Sequence, residues 1–526
     1  MARVSGSLSL IATGGVSIAL RMLTVPLYLV WLGEQQYSLY LYLLFLTGFV
    51  GLTNPRVEEA AIMRLTEAFA KGETDRAWRI QQAFTALTWL IAGTGLVVFI
   101  LLGLFLPMPE HSTSHTWLMF VFFGISYAMN VLGEALHPVL FAQDKFKELA
   151  VREFFISTVG AVTGIGLVYL YRTPIALACV TAMNALVGYG MLLVLTKRLY
   201  PEFRMRPRWI PEINRDLLSV GLRMYFHRAT LMVSSSIDKI LMPHAMPLRM
   251  LSHYTVPSQI PTTLQRIMDP IQNTLRPELT RQAMDGGTGL ASSTNRFARI
   301  VLAVACCAIL IPSAYGLPIL ALWLPAGVSM PNGATVMFAL GAACTLELFH
   351  GVFNTLAYSV GKPHLLVPVS GANALATVLL TVPLARAFGV AGVAVQNMTL
   401  FAVLLPVLLW VVKRKLTPEF DVRSMLKQTA GTMGITLGFA WAAHWMCAQP
   451  WFVERPLVAV ATAPLAMVSC WAVLRRSGVA TTSTCRAGSG FSSFPTRVPS
   501  SWLRRVRIPS ASTTKNNSPE RTALRK

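Results

Sequence analysis

The chain is 526 residues long, 54% hydrophobic and only 13% charged, with a mean hydropathy of +0.54. That composition excludes a soluble globular protein and points to a polytopic membrane protein. A net charge of +22 would suit a nucleic-acid partner in a soluble chain. Here Lys and Arg gather in short polar gaps between apolar runs, which reports membrane topology and excludes nucleic acid.

Counting about 20 residues per crossing, apolar runs fall at residues 8–32, 38–62, 82–107, 116–142, 150–171 and 173–196. A second set falls at 217–243, 250–275, 297–324, 333–357, 364–386 and 389–412, and two more runs at 426–447 and 455–475. The reading is all-α, with about 14 transmembrane helices. The first run follows a lone Arg3, is too long for a signal-peptide core and has no cleavage site after it, so it is read as a retained span.

Basic residues follow the even-numbered spans: Arg56, Arg64, Lys71, Arg76 and Arg79; Lys145 and Lys147; Lys197, Arg198, Arg204, Arg206, Arg208 and Arg215. The pattern continues with Arg276, Arg281, Arg296 and Arg299, then Lys362, then Lys413, Arg414, Lys415, Arg423 and Lys427. The alternate loops are nearly free of Lys and Arg. An even number of spans with both termini in the cytoplasm fits this asymmetry.

The polar linker 197–216 divides the spans into an N-terminal six-helix bundle, 1–196, and a C-terminal six-helix bundle, 217–412. Equal halves suggest a duplicated unit with a path between them. A faint echo joins Ala19-Leu20-Arg21-Met22 to Gly221-Leu222-Arg223-Met224. Residues 413–475 hold the two additional helices, and 476–526, rich in Ser, Thr, Pro and Arg, reads as a disordered basic cytoplasmic tail.

The stretch from Leu217 to Pro277 is apolar enough for two spans yet carries Arg223, His227, Arg228, Asp238, Lys239, Arg266 and Asp269. Charges at that depth are costly unless they face protein or a water-filled cavity. Ser234-Ser235-Ser236, with Pro257, Pro261 and Pro270, predicts broken helices bordering such a cavity. Arg21, Arg223, Arg228, Lys239 and Arg266 are therefore candidates for a cationic cavity that grips an anionic head group. The alternative is that Arg223 and Arg228 snorkel to the interface and Asp238 pairs with Lys239. Glu134 with His137, and Glu347 with His350, stand at i,i+3 spacing on one helical face. With Asp238 they are candidates either for carrying a coupling proton or for structural hydrogen bonds between helices.

Gly286-Gly287-Thr288-Gly289 lacks the Lys-Ser/Thr ending and preceding strand of a phosphate loop, and reads as a polar loop. No catalytic constellation stands on a sizeable soluble loop, which disfavours an enzyme. Of 7 cysteines, six lie in apolar runs without a CxxC pair, and neither a metal nor a disulfide is assigned to them.

Val25-Pro26-Leu27-Tyr28-Leu29-Val30-Trp31-Leu32-Gly33-Glu34-Gln35-Gln36-Tyr37, the run Arg64 to Gly72, Ser236-Ile237-Asp238-Lys239-Ile240-Leu241 with Ser252-His253-Tyr254, Gly361-Lys362-Pro363 and Phe388-Gly389-Val390-Ala391-Gly392 are informative together. Over roughly residues 5–412 the chain resembles the Wzx-like oligosaccharide flippases, polysaccharide biosynthesis proteins of the multidrug/oligosaccharidyl-lipid/polysaccharide (MOP) exporter superfamily. It departs from them at Thr53-Asn54-Pro55, in the two extra spans and in the tail. The resemblance implies a MATE-like architecture in the bacterial inner membrane. It also implies flipping of undecaprenyl-diphosphate-linked oligosaccharide by alternating access, for O-antigen, capsule or exopolysaccharide assembly. Lipid-linked oligosaccharide, membrane lipids, and a polysaccharide polymerase with its export machinery are the implied partners; H+ or Na+ coupling is expected, and no cofactor. The rivals are a lipid II flippase and a MATE-type multidrug exporter, the latter needing an acidic or aromatic cavity for cations. A glycan polymerase or ligase would need a large outer loop that the sequence lacks.

Overall fold

A computed structural model describes residues 2–55, 57–105, 116–143, 145–200, 206–284 and 289–476; the side chains of residues 2–19, Arg21, Arg223, His227, Arg228 and 269–278 are among those outside the description. Gly286 to Thr288 and the tail from residue 477 also lie outside it. Among the described residues every regular element is helical.

The apolar runs become long helices, since a backbone in lipid must satisfy its own hydrogen bonds. The first two predicted spans are one element, α1 (Ala2–Val50), turned only at Gly33 (φ 76°, ψ 164°). The expected loop at 33–37 is therefore a one-residue corner. The second span is also shorter than expected: α1 stops at Val50, and the remainder forms a separate helix, α2 (Val57–Ala70). Helices α3 (Thr74–Phe105), α4 (Thr116–Glu134), α5 (His137–Ala142), α6 (Phe146–Tyr171) and α7 (Pro174–Leu199) follow.

The next long helices are α8 (Pro211–Leu241) and α9 (Met250–Met284). Proline is pre-organised for the first helical turn, and Pro211 starts α8 inside the predicted linker. Contrary to expectation, Ser234–Ser236 and the three prolines break neither helix. Pro257 and Pro261 free the carbonyls four residues earlier on one face, a defect tolerable where neighbouring helices cover it; α13 (Gly333–Ser359) packs along α9. The predicted span 297–324 is instead α10 (Leu290–Ala305), a π-helical stretch Cys306–Leu310, α11 (Ile311–Ala314) and α12 (Gly316–Trp323). Then come α14 (Val367–Val411), α15 (Val422–Cys447), α16 (Pro450–Val453), α17 (Pro456–Ala461) and α18 (Ala463–Arg476). Like α1, α14 joins two predicted spans at a single glycine, Gly389 (φ 65°, ψ −153°).

Among the described residues 9 helical segments are long and apolar enough to cross a membrane, and one of them, His364–Leu416, spans 53 residues. At 1.5 Å per residue that is more than twice the ~30 Å hydrocarbon layer. Apolar clusters organise the interior. One unites α1, α3, α4 and α7 around Phe84, Phe99, Phe120 and Phe123, and another unites α10, α13, α14 and α15 around Phe349, Phe353 and Phe420.

Hydroxyls in these helices mostly return to their own backbone. Thr85 donates to the Gln81 carbonyl at 2.8 Å, Thr181 to Leu177 at 2.8 Å, Thr345 to Gly341 at 2.8 Å, Thr377 to Asn373 at 2.9 Å and Thr436 to Thr432 at 2.8 Å.

Several polar ties between the first seven helices and the later ones lie near the helix ends. At the basic end, Arg64 of α2 donates from Nε and a terminal nitrogen to both carboxylate oxygens of Asp216 on α8, at 2.8 and 2.9 Å. These bonds hold the guanidinium pKa above its ordinary value. At the opposite end, His253 Nε2 meets Glu34 Oε2 at 2.9 Å, the Ser252 amide donates to Ser38 Oγ at 3.1 Å, and Trp323 Nε1 donates to the Met22 carbonyl at 2.8 Å.

Candidate functional site

Between those ends, α1 and α8 run side by side. The Tyr225 hydroxyl donates to the Leu52 carbonyl at 2.6 Å, a Cβ on Gly48 would come within 3.3 Å of Met232, and the Lys239 ammonium lies 5.5 Å from the centre of the Phe45 ring. α9 packs against α1 as well. α1 thus neighbours both α8, which carries Arg223, Arg228 and Lys239, and α9, which carries Arg266; its contacts with α8 come from the arm after Gly33, and Arg21 stands on the arm before it. The side chains of Arg21, Arg223 and Arg228 lie outside the described residues.

Lys239 is described in full and is 16% exposed, against 1% for Asp238. Its ammonium donates to the Ser235 carbonyl at 2.7 Å and to Asp238 Oδ1 at 3.2 Å, and stands 5.8 Å from the Tyr254 ring centre. Asp238 Oδ1 also accepts the Lys239 amide at 2.8 Å. Its Oδ2 accepts the Tyr254 hydroxyl at 2.5 Å and Asn397 Nδ2 at 2.9 Å. Asn397 further contacts the Tyr254 hydroxyl at 2.8 Å. This carboxylate is the hub of α8, α9 and α14, and a buried charge is tolerated only when so satisfied. Lys239 extends from that hub toward α1. It is a fixed cation between two aromatic faces, at the contact between the early and late helices.

Arg266 is exposed on α9. Its neighbour Gln265 donates to Glu347 Oε2 on α13 at 2.9 Å. His350, one turn after Glu347, points elsewhere, packing edge-on against Phe401 of α14 with ring centres 5.4 Å apart. The two groups therefore serve different neighbours, α9 and α14.

The other proposed pair is corrected more sharply. Glu134 is the last residue of α4 and His137 the first of α5, so they do not share one helical face. Pro138 allows a new helix to start here but cannot donate into the old one. Asn54 Nδ2 donates to Glu134 Oε2 at 2.7 Å, and His137 Nδ1 meets Glu58 Oε1 at 2.8 Å. Both groups line a cavity of about 190 Å³ with Asn130, Arg152 and Tyr189.

Sequence reading missed Glu58, Asn54, Arg152 and Asp216, and the Glu34–His253 tie. Glu58 was hidden because the second span was drawn through it. A carboxylate inside a run expected to sit in lipid was the available signal. Tyr254 and Asn397 carry no charge and stand 16 and 159 residues from Asp238; Tyr254 was noted only within the motif Ser252-His253-Tyr254, and nothing local flagged Asn397.

A family model described as polysaccharide biosynthesis protein matches residues 65–324. No curated protein matches the chain in sequence. Among solved structures, a lipid II flippase MurJ in an inward closed conformation matches with a TM-score of 0.68 at 11% identity, covering 90% of this chain and 99% of that one. A multidrug resistance MATE family transporter of the MOP superfamily matches in its inward-facing conformation with TM-score 0.58 and 12% identity, over 79% of this chain and 96% of its own. An outward-facing conformation of such a transporter matches with TM-score 0.54 and 12% identity, over 81% and 96%. At these identities the likeness is one of fold. A MATE-like helical fold thus runs along most of this multi-pass membrane protein, and its central stretch, residues 65–324, is similar to polysaccharide biosynthesis proteins.

Proposed function

We propose that the protein is a flippase that carries an undecaprenyl-diphosphate-linked oligosaccharide from the cytoplasmic to the periplasmic leaflet of the bacterial inner membrane, by alternating access. The observation that carries this reading is that α1, bearing Arg21, packs against both α8, bearing Arg223, Arg228 and Lys239, and α9, bearing Arg266, within a chain whose centre matches polysaccharide biosynthesis proteins. Guanidinium groups grip phosphate oxygens bidentately, and Lys239 adds a point charge. The lipid tail stays in the bilayer, while sugar and diphosphate need polar contacts to offset their desolvation. The basic end, with Arg64 and Asp216, is the cytoplasmic one, and the Glu34–His253 end is periplasmic. Both ends are tied in this conformation, and transport requires each to open in turn. A glycan polymerase and its export machinery are the partners downstream, and catalysis forms no part of this reading.

A lipid II flippase is the second reading, favoured by the higher TM-score and the additional tenth or so of the chain matched by MurJ relative to the MATE transporters. A drug exporter handling organic cations fits less well, because the cations on α1, α8 and α9 would repel its substrate. The deciding experiment is the lipid-linked glycan profile of cells lacking the protein, with a membrane-impermeant label to assign leaflets. Complete oligosaccharide-lipid trapped on the cytoplasmic face supports the first reading, and trapped lipid II replaces it with the second. Normal arrival of both at the outer face refutes flipping.

A further inference from the structure

The cavity between α2, α4, α5, α6 and α7 stands apart from the cationic side chains on α8 and α9. Its volume is about 190 Å³, and its polar lining comprises Glu58, Asn130, Glu134, His137, Arg152 and Tyr189. The acceptors come from α2 and α4: Glu58 Oε1 meets His137 Nδ1 at 2.8 Å, and Glu134 Oε2 accepts Asn54 Nδ2 at 2.7 Å. Asn130 of α4 is exposed, with its amide nitrogen 3.4 Å from Ser126 Oγ. The other walls are α6 and α7. Arg152 donates from Nε to the Gly188 carbonyl at 3.2 Å, and a Cβ on residue 188 would meet its terminal nitrogen at 2.9 Å, so the glycine lets the guanidinium lie along α7. Its other contact is a loose one, 3.7 Å to the exposed Glu153, which leaves most of its five donors for whatever enters. Ring surface comes from Tyr189 and from His137, which packs on Phe141 with centres 5.7 Å apart.

This mixture of groups selects the ligand. A phosphate asks for donors, and two carboxylates repel it. A metal ion asks for converging acceptors, and among the described residues no three acidic, histidine or cysteine side chains supply them. An organic cation asks for acceptors and aromatic faces with no guanidinium beside them. A sugar ring differs from all three: each hydroxyl both donates and accepts, while its C–H faces lie against ring surfaces. Carboxylates, an amide, a guanidinium and two rings around one small space meet those demands together.

Size and place agree with that ligand. A cleft for a drug-sized molecule takes about 300 Å³ or more; this one has room for a single pyranose and not for a whole oligosaccharide. Glu58 precedes Arg64 by six residues on α2, about 9 Å along the helix, so the cavity lies toward the basic end, where a lipid-linked glycan begins its passage. Glu58 and Glu134 bring two negative charges against one positive on Arg152. An acidic sugar adds a further carboxylate to that excess, whereas a neutral or N-acetylated sugar adds none.

We propose that this cavity is a saccharide subsite: it takes one neutral sugar ring, whose hydroxyls donate to Glu58 and Glu134 and accept from Arg152 and Asn130, and its two carboxylates turn acidic sugars away. Its meaning for transport, the choice of glycan, rests on the flippase reading, whereas the binding of the sugar does not.

The test uses the full chain in lipid nanodiscs, with saturation-transfer difference NMR titrations of free methyl glycosides. The neutral probes are those of N-acetylglucosamine, galactose and mannose, and the acidic probe is that of glucuronic acid. The expected result is that at least one neutral probe binds about fivefold or more tighter than the glucuronide. Arg152→Gln weakens that neutral probe about tenfold. Asn130→Ala, a change at an exposed position that tests the same wall even where a charge variant fails to insert, weakens it several-fold. Glu134→Gln weakens the neutral probe yet strengthens the glucuronide about five- to tenfold, a reversal that a purely packing role does not produce. Glu73→Gln, which removes only the exposed contact with Arg76, changes neither. Absence of saturation transfer to every neutral probe, equal affinity for neutral and acidic probes, neutral binding untouched by Asn130→Ala, or a glucuronide affinity unmoved by Glu134→Gln overturns the proposal. Flipping without sugar binding overturns the subsite alone, and sugar binding without flipping overturns the flippase reading alone.

Discussion

Asp238 offers the severest trial of how this bundle tolerates charge. Asp238→Ala deletes a carboxylate that accepts from the Tyr254 hydroxyl, Asn397, the Lys239 amide and the Lys239 ammonium at 2.5, 2.9, 2.8 and 3.2 Å. What remains is an ammonium 16% exposed, with one carbonyl and two aromatic faces for company. Removing one partner of a buried ion pair costs about 3–5 kcal/mol, mostly the penalty of the stranded charge. In Asp238→Ala/Lys239→Met the stranded charge is gone, and the remaining loss is the hydrogen bonds of Tyr254 and Asn397, about 1–2 kcal/mol. The double variant is therefore expected to be more stable than the single one by roughly 2 kcal/mol or more. Reversible unfolding in mixed micelles, followed by circular dichroism against detergent mole fraction, measures the cycle. A single-variant loss below about 1 kcal/mol, or a double variant as damaged as the sum of both singles, refutes the reasoning.

Three further expectations follow from other parts of the structure. Gly33→Ala and Gly389→Ala meet no obstructing atom, so their cost is backbone strain alone, about 1–3 kcal/mol each; Asn gives no relief there, because these corners lie outside the left-handed helical basin. Unfolding midpoints equal to those of the unmodified chain would contradict that. Lys71 holds the Glu67 carboxylate below its ordinary pKa, so the stabilisation is present above the unfolded-state value and is lost as pH falls through the depressed one. Lys71→Gln should therefore raise the pH at which the α2 amides begin to exchange faster on the acid side, as read by hydrogen–deuterium exchange. Finally, Arg21→Ala and Arg266→Ala should each abolish glycan export while leaving membrane insertion intact, as read from capsule or O-antigen staining beside a fusion-reporter assay; unimpaired export removes both from the site.

Much of the helix layout was legible because a lipid-spanning helix must be a run of about 20 apolar residues, and such runs are visible in any window. The corners were less legible. Gly33 and Gly389 each reverse the chain with one residue, so the expected loop at 33–37 vanished, and the second span, drawn through Glu58, absorbed α2. Prolines misled in both directions. Pro257 and Pro261 stay inside α9 because neighbouring helices cover the defect, whereas Pro138 falls where α4 gives way to α5 and separates Glu134 from His137. Of the candidate site, the adjacency of Asp238 and Lys239 was readable at once, since they are neighbours in sequence. Tyr254 and Asn397 were not, for a partner chosen by helix packing leaves no trace in local spacing.

The threonine and serine hydroxyls that bond back to their own helices have a mechanical meaning. A membrane bundle held by many hydroxyl bonds between helices would have to break them whenever one helix moved past another, with no water at hand to take them up. Here Thr85, Thr181, Thr345, Thr377 and Thr436 carry their acceptors with them, so a helix can slide or tilt without stranding a polar group. The sliding surfaces are in effect self-lubricated. Resistance to motion is then concentrated in the side chains that do reach across, among them Arg64 to Asp216, Glu34 to His253 and Trp323 to Met22, which makes such contacts the points where a small chemical signal can govern a large displacement.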